Sequence, residues 1–313
     1  MMHSIKKILI LGGTGFIGRS LYKNFKKKFK ILSLSKSQGN DLRKESTLKN
    51  FFINNSKIDI IINCAAHVGG INYLEKKSAD VMTDNLQIYT NLYKNLIPLK
   101  KKPIIINLLS NCLYPEKLKI QIENRWQEGQ MHKTVEAFGI AKRVLVIYSK
   151  NYEKQYGVIS YNLILPNAFG PGDHLNPERS HALNAMIIRM LKSKENNLNS
   201  FEVWGSGKPR REWIFVEDIC QALEIIIKKK LNKGIILNIA QNRSYSINEI
   251  AYRIKKILKY TGHINNNIKY ADGAALKQLS NKNFKKFFKV FKFTNFNIAI
   301  KKTVAYYKLS KNK

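Results

Sequence analysis

Apolar residues in the first half of the chain come in short unbroken runs, not in alternation. Such runs occupy 5–11, 30–35, 57–64, 103–109 and 158–165, and each predicts a β-strand. A strand that is apolar throughout is covered on both faces, as in a parallel sheet between two layers of helices. Helical segments lie between the runs, clearest at 84–97 and 135–156. The alternation predicts an α/β fold, a doubly wound parallel (Rossmann) sheet.

Beyond Pro166 the texture changes. Residues 167–177 are rich in Gly, Pro, Asn and Asp and read as loop. A helix is expected from about 181 to 193, then a turn-rich piece at 203–208. A strand at 214–216 and a helix at 218–230 look like a return to the sheet, followed by a strand at 234–239. From 246 onward one helix is clear, with Ser246 as N-cap and Ile250, Ile254, Ile257 and Leu258 along one face. No internal repeat stands out. The expected organisation is a dinucleotide-binding domain over 1–165, rejoined by 213–240. A smaller substrate-binding domain, 166–212 and 241–313, is interleaved with it.

The first apolar run leads into Gly12-Gly13-Thr14-Gly15-Phe16-Ile17-Gly18 and then a helix. Each of three glycines has a physical task in that context. Gly12 makes the tight turn, Gly15 lets the backbone approach a pyrophosphate, and Gly18 lets the helix pack closely on the strand. The helix N-terminus then offers free N–H groups to the phosphates. An acid at the end of the second strand would grip a ribose 2′-hydroxyl. The residues there are Ser35-Lys36-Ser37, which lean toward a 2′-phosphate and so toward NADP.

Composition adds little to this picture. The net charge is +34, from 55 Lys and Arg against 21 Asp and Glu. The lysines are scattered, with short runs at 26–28, 100–102 and 228–230 and no nucleic-acid-binding module beside them. They read as a solvated surface that attracts anionic substrates, with neither nucleic acid nor membrane as partner. Cys64, Cys112 and Cys220 are odd in number and widely spaced, which fits a reducing compartment and no metal site. Cys64 and Cys220 read as small buried residues. No apolar run reaches the roughly 20 residues of a membrane span. The stretch 8–11 after Lys6-Lys7 is too short for a signal-peptide core. A cytoplasmic location is expected.

Longer stretches carry a resemblance. Gly12 to Gly18, Asn63-Cys64-Ala65-Ala66 and the run from Leu165-Pro166-Asn167 to Gly172 resemble extended short-chain dehydrogenases acting on nucleotide sugars. Ala65 to Ile71, Ser110 to Pro115, Asn176 to His181 and Val203 to Glu212 resemble GDP-L-fucose synthases, which epimerise and reduce a GDP-4-keto sugar. The resemblance implies a homodimer pairing two long helices per subunit. It implies that Gly12, Thr14, Gly15, Phe16, Ile17, Gly18, Ser35, Lys36, Asp41, Leu42, Ala65, Ala66, His67, Asn85, Lys142, Pro166 and Phe169 line the cofactor. Val68, Gly69, Asn111, Asn167, His181, Trp204, Arg211 and Lys277 would hold a GDP-sugar. Ser110 would bond the reacting oxygen, and Cys112 and His181 fall where that family keeps its proton-transfer pair.

One departure matters. The catalytic Tyr-x-x-x-Lys of these enzymes is matched by Phe138-Gly139-Ile140-Ala141-Lys142, so the lysine is present and the phenol is not. Tyr22 to Lys26 and Tyr73 to Lys77 also fit the string, but neither follows the right strand. The protein is then a silent binder, an enzyme using Ser110 with water, Cys112 or a nearby tyrosine, or a subgroup with altered chemistry. The last resembles a dehydrogenase oxidising C4 of a GDP-manno-heptose for capsule polysaccharide, which would draw on NAD. That is the leading expectation. The alternative is a 3,5-epimerase/4-reductase of a GDP-4-keto-6-deoxy sugar.

Overall fold

Residues 6–55, 57–176, 180–229 and 231–310 are described by the computed structural model of the chain. The first half forms β1 (Lys7–Leu11), α1 (Phe16–Phe25), β2 (Lys30–Leu34), α2 (Glu45–Asn54) and β3 (Ile60–Asn63). It continues with α3 (Ile71–Lys76), α4 (Ser78–Lys94), β4 (Ile104–Ser110), α5 (Glu136–Tyr156) and β5 (Ser160–Leu165). The second half adds β6 (Asn167–Phe169), α6 (Ala182–Glu195), β7 (Ser200–Trp204), β8 (Arg210–Phe215), α7 (Val216–Lys228) and β9 (Ile236–Asn238). It ends with β10 (Ser244–Ser246), α8 (Ile247–Leu258), β11 (His263–Asn267), β12 (Leu276–Lys277), α9 (Lys282–Phe287) and α10 (Phe296–Ser310).

The unbroken apolar runs do form a six-stranded parallel sheet, in the order β2-β1-β3-β4-β5-β9. Both faces are buried. Leu9, Leu11, Ile61 and Ile105 meet Tyr89 and Leu92 of α4 and Leu145 and Val146 of α5. Ile8, Ile10, Ile60 and Ile106 meet Leu21 and Phe25 of α1 and Ile219, Leu223 and Ile226 of α7. Strand order reverses between β1 and β3, so the crevice opens beyond their carboxyl ends.

A second sheet, β10-β8-β12 with β6 beside β8, carries the opposite wall. Its core joins Trp213 and Phe215 to Leu183 and Ile187 of α6, Ile250 and Ile254 of α8, and Ile300 and Val304 of α10. The strand expected at 214–216 therefore pairs in this sheet and does not return to the first. Only α7 and β9 of that stretch go back. Residues 167–169, expected as loop, are β6, because β8 offers them a parallel partner. The turn-rich 203–208 is preceded by β7, which pairs with β11. The helix expected at 84–97 begins at Ser78, with Val81 extending its buried face and Asp80 in its first turn. Two helices follow the one foreseen after Ser246. In α10, Phe296, Ala299, Ile300, Thr303, Val304 and Tyr307 are buried at helical spacing, a signal hidden among lysines. The capping box at Ser246 is as read, with Glu249 as its partner. Residue 5 of the first run and residue 230 lie outside the described residues.

Candidate active site

The cofactor wall starts where β1 ends. Gly12 has φ +78°, and a Cβ there would come within 2.9 Å of the Ala65 backbone. A Cβ on Gly18 would stand 2.2 Å from the Gly12 carbonyl oxygen, so only glycine lets α1 lie on the turn. Gly15 differs, because a Cβ there would meet nothing of the protein closer than Gly12 O at 3.2 Å. It faces open space and is the N-cap of α1, where no side chain caps the first turn. The helix's uncapped N–H groups and positive end are thus aimed at the crevice. The Thr14 N–H donates to Ser35 Oγ at 3.0 Å, and the Thr14 and Ser37 hydroxyls are 2.8 Å apart. These ties join the turn to the end of β2 and leave Lys36 there as the cation. This cradle, glycine-only and free of acid, fits a dinucleotide phosphate.

Behind it, the Asn85 side chain is buried. Its Nδ2 donates to the His67 and Val81 carbonyls, and its Oδ1 accepts the His67 N–H. Asn85 therefore clamps the Ala65-Ala66 turn from behind; it was expected to face the cofactor. Asp84 accepts from His67 Nδ1 at 2.8 Å and from Arg43, whose other arm holds Asp41 at 2.6 Å. Arg43 lowers Asp41 to about 2 through that hydrogen bond. The Asp41 carboxylate is half-buried and held by Arg43. Leu42 is buried in the core.

The reaction centre lies at the end of β4. Ser110 Oγ accepts the Cys112 N–H at 3.2 Å and so starts the short turn 111–113. Helix α5 crosses this turn at Gly139, where a Cβ would stand 2.5 Å from the Cys112 carbonyl oxygen. That contact sets Lys142 one turn on. Its ammonium donates to the Leu108 carbonyl oxygen at 3.3 Å and lies 5.3 Å from the Phe138 ring centroid. Burial lowers the amine from 10.5 to about 8. A buried ammonium with one backbone partner has donors to spare for a ribose. Phe138 is packed among Leu74, Val81 and Val135, with Ala66 and Cys112 alongside. Two buried tyrosines of this region, Tyr89 and Tyr114, do not replace it. Tyr89 donates to Asn85 and Tyr114 to Asn238, and burial pushes both phenols far up.

The opposite wall brings in cations. Arg211 of β8 and Lys277 of β12 are direct register partners. Lys277 Nζ reaches Cys112 Sγ at 3.7 Å. The Arg211 guanidinium passes over Gly273, where a Cβ would lie 3.0 Å from it, and Ile71 borders the same spot. Glu212 holds this wall in place: its buried carboxylate accepts from the N–H groups of Gln241, Asn242 and Leu279. His132 joins the group unforeseen. Burial lowers its imidazole, and Lys277 and Arg211 add to this against Glu116. Its Nδ1 accepts the Thr134 N–H, so Nε2 carries the hydrogen when the ring is neutral. His181 opens α6, with Nδ1 3.0 Å from the buried Asp173 carboxylate and its ring 5.2 Å from that of Phe16.

Residues 8–240 match the model of the NAD dependent epimerase/dehydratase family. The chain belongs to that family. It is 27% identical over 314 residues to a probable GDP-L-fucose synthase of Drosophila melanogaster, covering 97% of each chain. The crystal structure of a GDP-L-fucose synthetase from Naegleria fowleri bound to NADP superposes with a TM-score of 0.86 at 27% identity, covering 98% of this chain and 95% of that one. A GDP-6-OMe-4-keto-L-xylo-heptose reductase from C. jejuni gives 0.87 at 23% identity, over 99% of both chains, and speaks to the fold alone. The cofactor is accordingly a nicotinamide dinucleotide, NAD or NADP.

The Phe169 side chain is turned into the second core against Phe215 and Phe296, away from the crevice. The Asn167 amide donates to the Glu212 carbonyl oxygen and ties β6 to β8. Trp204 is half exposed but already stacked, with Tyr270 at 4.8 Å and the Arg189 guanidinium at 4.2 Å. Asn111 is buried with its Nδ2 unpartnered, a spare donor beside Ser110. Val68 is exposed, and Gly69 is forced by the Tyr73 ring, 2.5 Å from any Cβ there. Pro166 is buried at the end of β5. Residues 177–179 of the stretch quoted above lie outside the described residues. His132 and Asp173 escaped the sequence reading. Asp173 follows the glycines of the 167–172 run, which is the signal that could have found it. Among the described residues no three His, Cys, Asp or Glu could hold a metal ion, and no helix is long and apolar enough to cross a membrane.

Proposed function

We propose that this protein is a reductase of a GDP-4-keto sugar that also exchanges the hydrogens beside the keto group, a 3,5-epimerase/4-reductase. The observation that carries the reading is the Cys112 thiol in contact with the Lys277 ammonium, with Arg211 beside it. Cations that suit a diphosphate and a thiol that can move a proton share one pocket next to Ser110 and Lys142. Arg211 and Lys277 hold the diphosphate, Arg211 through paired donors in one plane. Cys112 and His181 take and return the hydrogens on C3 and C5, which the neighbouring carbonyl makes acidic. Ser110 bonds O4, and the buried Lys142 holds the nicotinamide ribose. The bound cofactor supplies the hydride for C4. With Phe138 in place of a phenol, O4 takes its proton through Ser110 and solvent, a slower route.

The relatives' names support reduction over the C4 oxidation expected first. Reduction also removes the reason to favour NAD, so Ser35, Lys36 and Ser37 are read as favouring NADP. The sugar is a 6-deoxyhexose or a heptose for a surface polysaccharide. The chain acts in the cytoplasm, as a homodimer through α4 and α5. Purified protein with NADPH and a GDP-4-keto-6-deoxy sugar in deuterated water should lose 340 nm absorbance and put deuterium at C3 and C5. A rise at 340 nm with a GDP-manno-heptose and oxidised cofactor would favour oxidation at C4. Tight binding with neither change would make it a silent binder.

A further inference from the structure

Asp173 is almost completely buried, at 3% exposure, in the loop between β6 and α6. A single oxygen, Oδ2, accepts four hydrogen bonds. They come from the Ser180 hydroxyl at 2.9 Å, the His181 N–H at 2.8 Å, His181 Nδ1 at 3.0 Å and Asn184 Nδ2 at 2.8 Å. Among the described residues its ion-pair partner is His181. Burial by itself would push the carboxyl up, but His181 and Asn184 hold it well below the usual carboxylate range. An ionised carboxylate can only accept, so Nδ1 of His181 carries the hydrogen. Nε2 of the neutral ring then has the lone pair. The side chain is 37% exposed, with Nδ1 engaged by the buried carboxylate and no hydrogen bond at Nε2 among the described residues. Phe16, the first residue of α1 after the glycine turn, packs on the ring and limits its swing.

We propose that Asp173 is a positioning residue for proton transfer: its carboxylate fixes His181 as the Nδ1–H tautomer and presents the Nε2 lone pair to the sugar above the glycine turn. The inference rests on the reading of His181 given under the proposed function. In the step, Nε2 takes the hydrogen from the carbon beside the keto group as a proton, and the C–H electrons pass into the enolate. The resulting imidazolium is stabilised by the Asp173 carboxylate, which keeps its own charge. The Cys112 thiol gives a proton to the opposite face of the carbon, and the imidazolium's proton passes through solvent back to the thiolate. Nothing is oxidised or reduced. The rival account is that Asp173 only pins Ser180 and Asn184 to the loop.

The two accounts separate in the full chain. Long-range ¹H–¹⁵N correlation of histidine-labelled protein, with the His181 signals assigned from His181→Gln, should show the Nδ1–H tautomer. In Asp173→Asn the amide can donate to Nδ1 and turn the ring to Nε2–H. Deuterium entry into a GDP-4-keto-6-deoxy sugar should then fall by about 10²- to 10⁴-fold, the range of a lost general base, while NADPH binding persists. Asp173→Glu should restore the tautomer and part of the rate. Ser180→Ala, which removes a donor without touching the imidazole, should stay near the wild-type rate. Should Asp173→Asn not fold, the wild-type tautomer and the Asp173→Glu variant decide. An Nε2–H tautomer in the wild type overturns the proposal, as does a Ser180→Ala loss as large as that of Asp173→Asn. If His181→Gln exchanges deuterium at the wild-type rate, the reading of His181 falls and takes this one with it. If His181→Gln is inactive while Asp173→Asn keeps its rate, this inference alone falls.

Discussion

The two walls of the crevice are made of different material. The cofactor wall is mostly backbone: the turn at Gly12, the uncapped N-terminus of α1 and the Ala65-Ala66 turn held by Asn85. The opposite wall is mostly side chains, with Cys112, His132, Arg211 and Lys277 arriving from separate elements. A backbone wall fails when a side chain fills its space. A side-chain wall fails when a charge or a proton is removed. Substitutions should therefore behave differently on the two sides.

The largest effect is expected from shape. Gly15→Val should fold, because a Cβ there meets only the Gly12 carbonyl oxygen, at 3.2 Å. It should weaken NADP(H) binding at least about 100-fold by occupying the pyrophosphate's place, measured by fluorescence titration. Gly18→Val, aimed at the same carbonyl from 2.2 Å, should instead lose the fold itself, seen in circular dichroism. Equal outcomes for the two would end the distinction between cradle and packing glycines.

Charge comes next. Arg211→Ala should weaken GDP binding by about 2 kcal/mol, roughly 30-fold, and leave NADPH binding unchanged by calorimetry. An equal loss for both ligands would mean that Arg211 holds the fold and not the diphosphate.

Between the walls sits Phe138. Restoring the hydroxyl with Phe138→Tyr should raise turnover about tenfold or more if O4 lacks a good acid, since such help is worth about 10²- to 10⁴-fold where it is complete. Steady-state rates across pH test this, and an unchanged rate and profile would mean that another group already delivers the proton.

The remaining effect is a pH dependence of stability. Lys142 titrates at about 8 in the folded chain against its ordinary 10.5, so folding disfavours its charged form. Below pH 8 that cost is fully present, and it fades as pH rises from 8 to 10.5. Wild type should gain stability over Lys142→Met across that window in urea unfolding. A constant difference between the two would show that the amine is not depressed.

The family's glycine turn and the parallel sheet were legible because their causes are local. Consecutive apolar residues and a glycine at each close approach are visible within a few positions of one another. Strands β6 and β7 were not legible, since each forms only where a distant partner, β8 or β11, supplies a ladder. Motif matching named Asn85, Asn167 and Phe169 but did not tell where their side chains point. Each is turned to backbone or core by neighbours that lie far off in the chain, except for the Asn85 bonds to Val81 and Tyr89.

By itself, then, the sequence determined the Rossmann sheet, the dinucleotide turn and the loss of the phenol at Phe138. Tertiary structure alone decided that Lys277 touches Cys112 across 165 positions, that the charges of Lys277 and Arg211 reach His132 and that Arg43 bridges Asp41 and Asp84. The reason is physical. Backbone conformation answers to near neighbours, whereas the charge and exposure of a side chain are set by whatever the fold packs against it, and no local pattern encodes that.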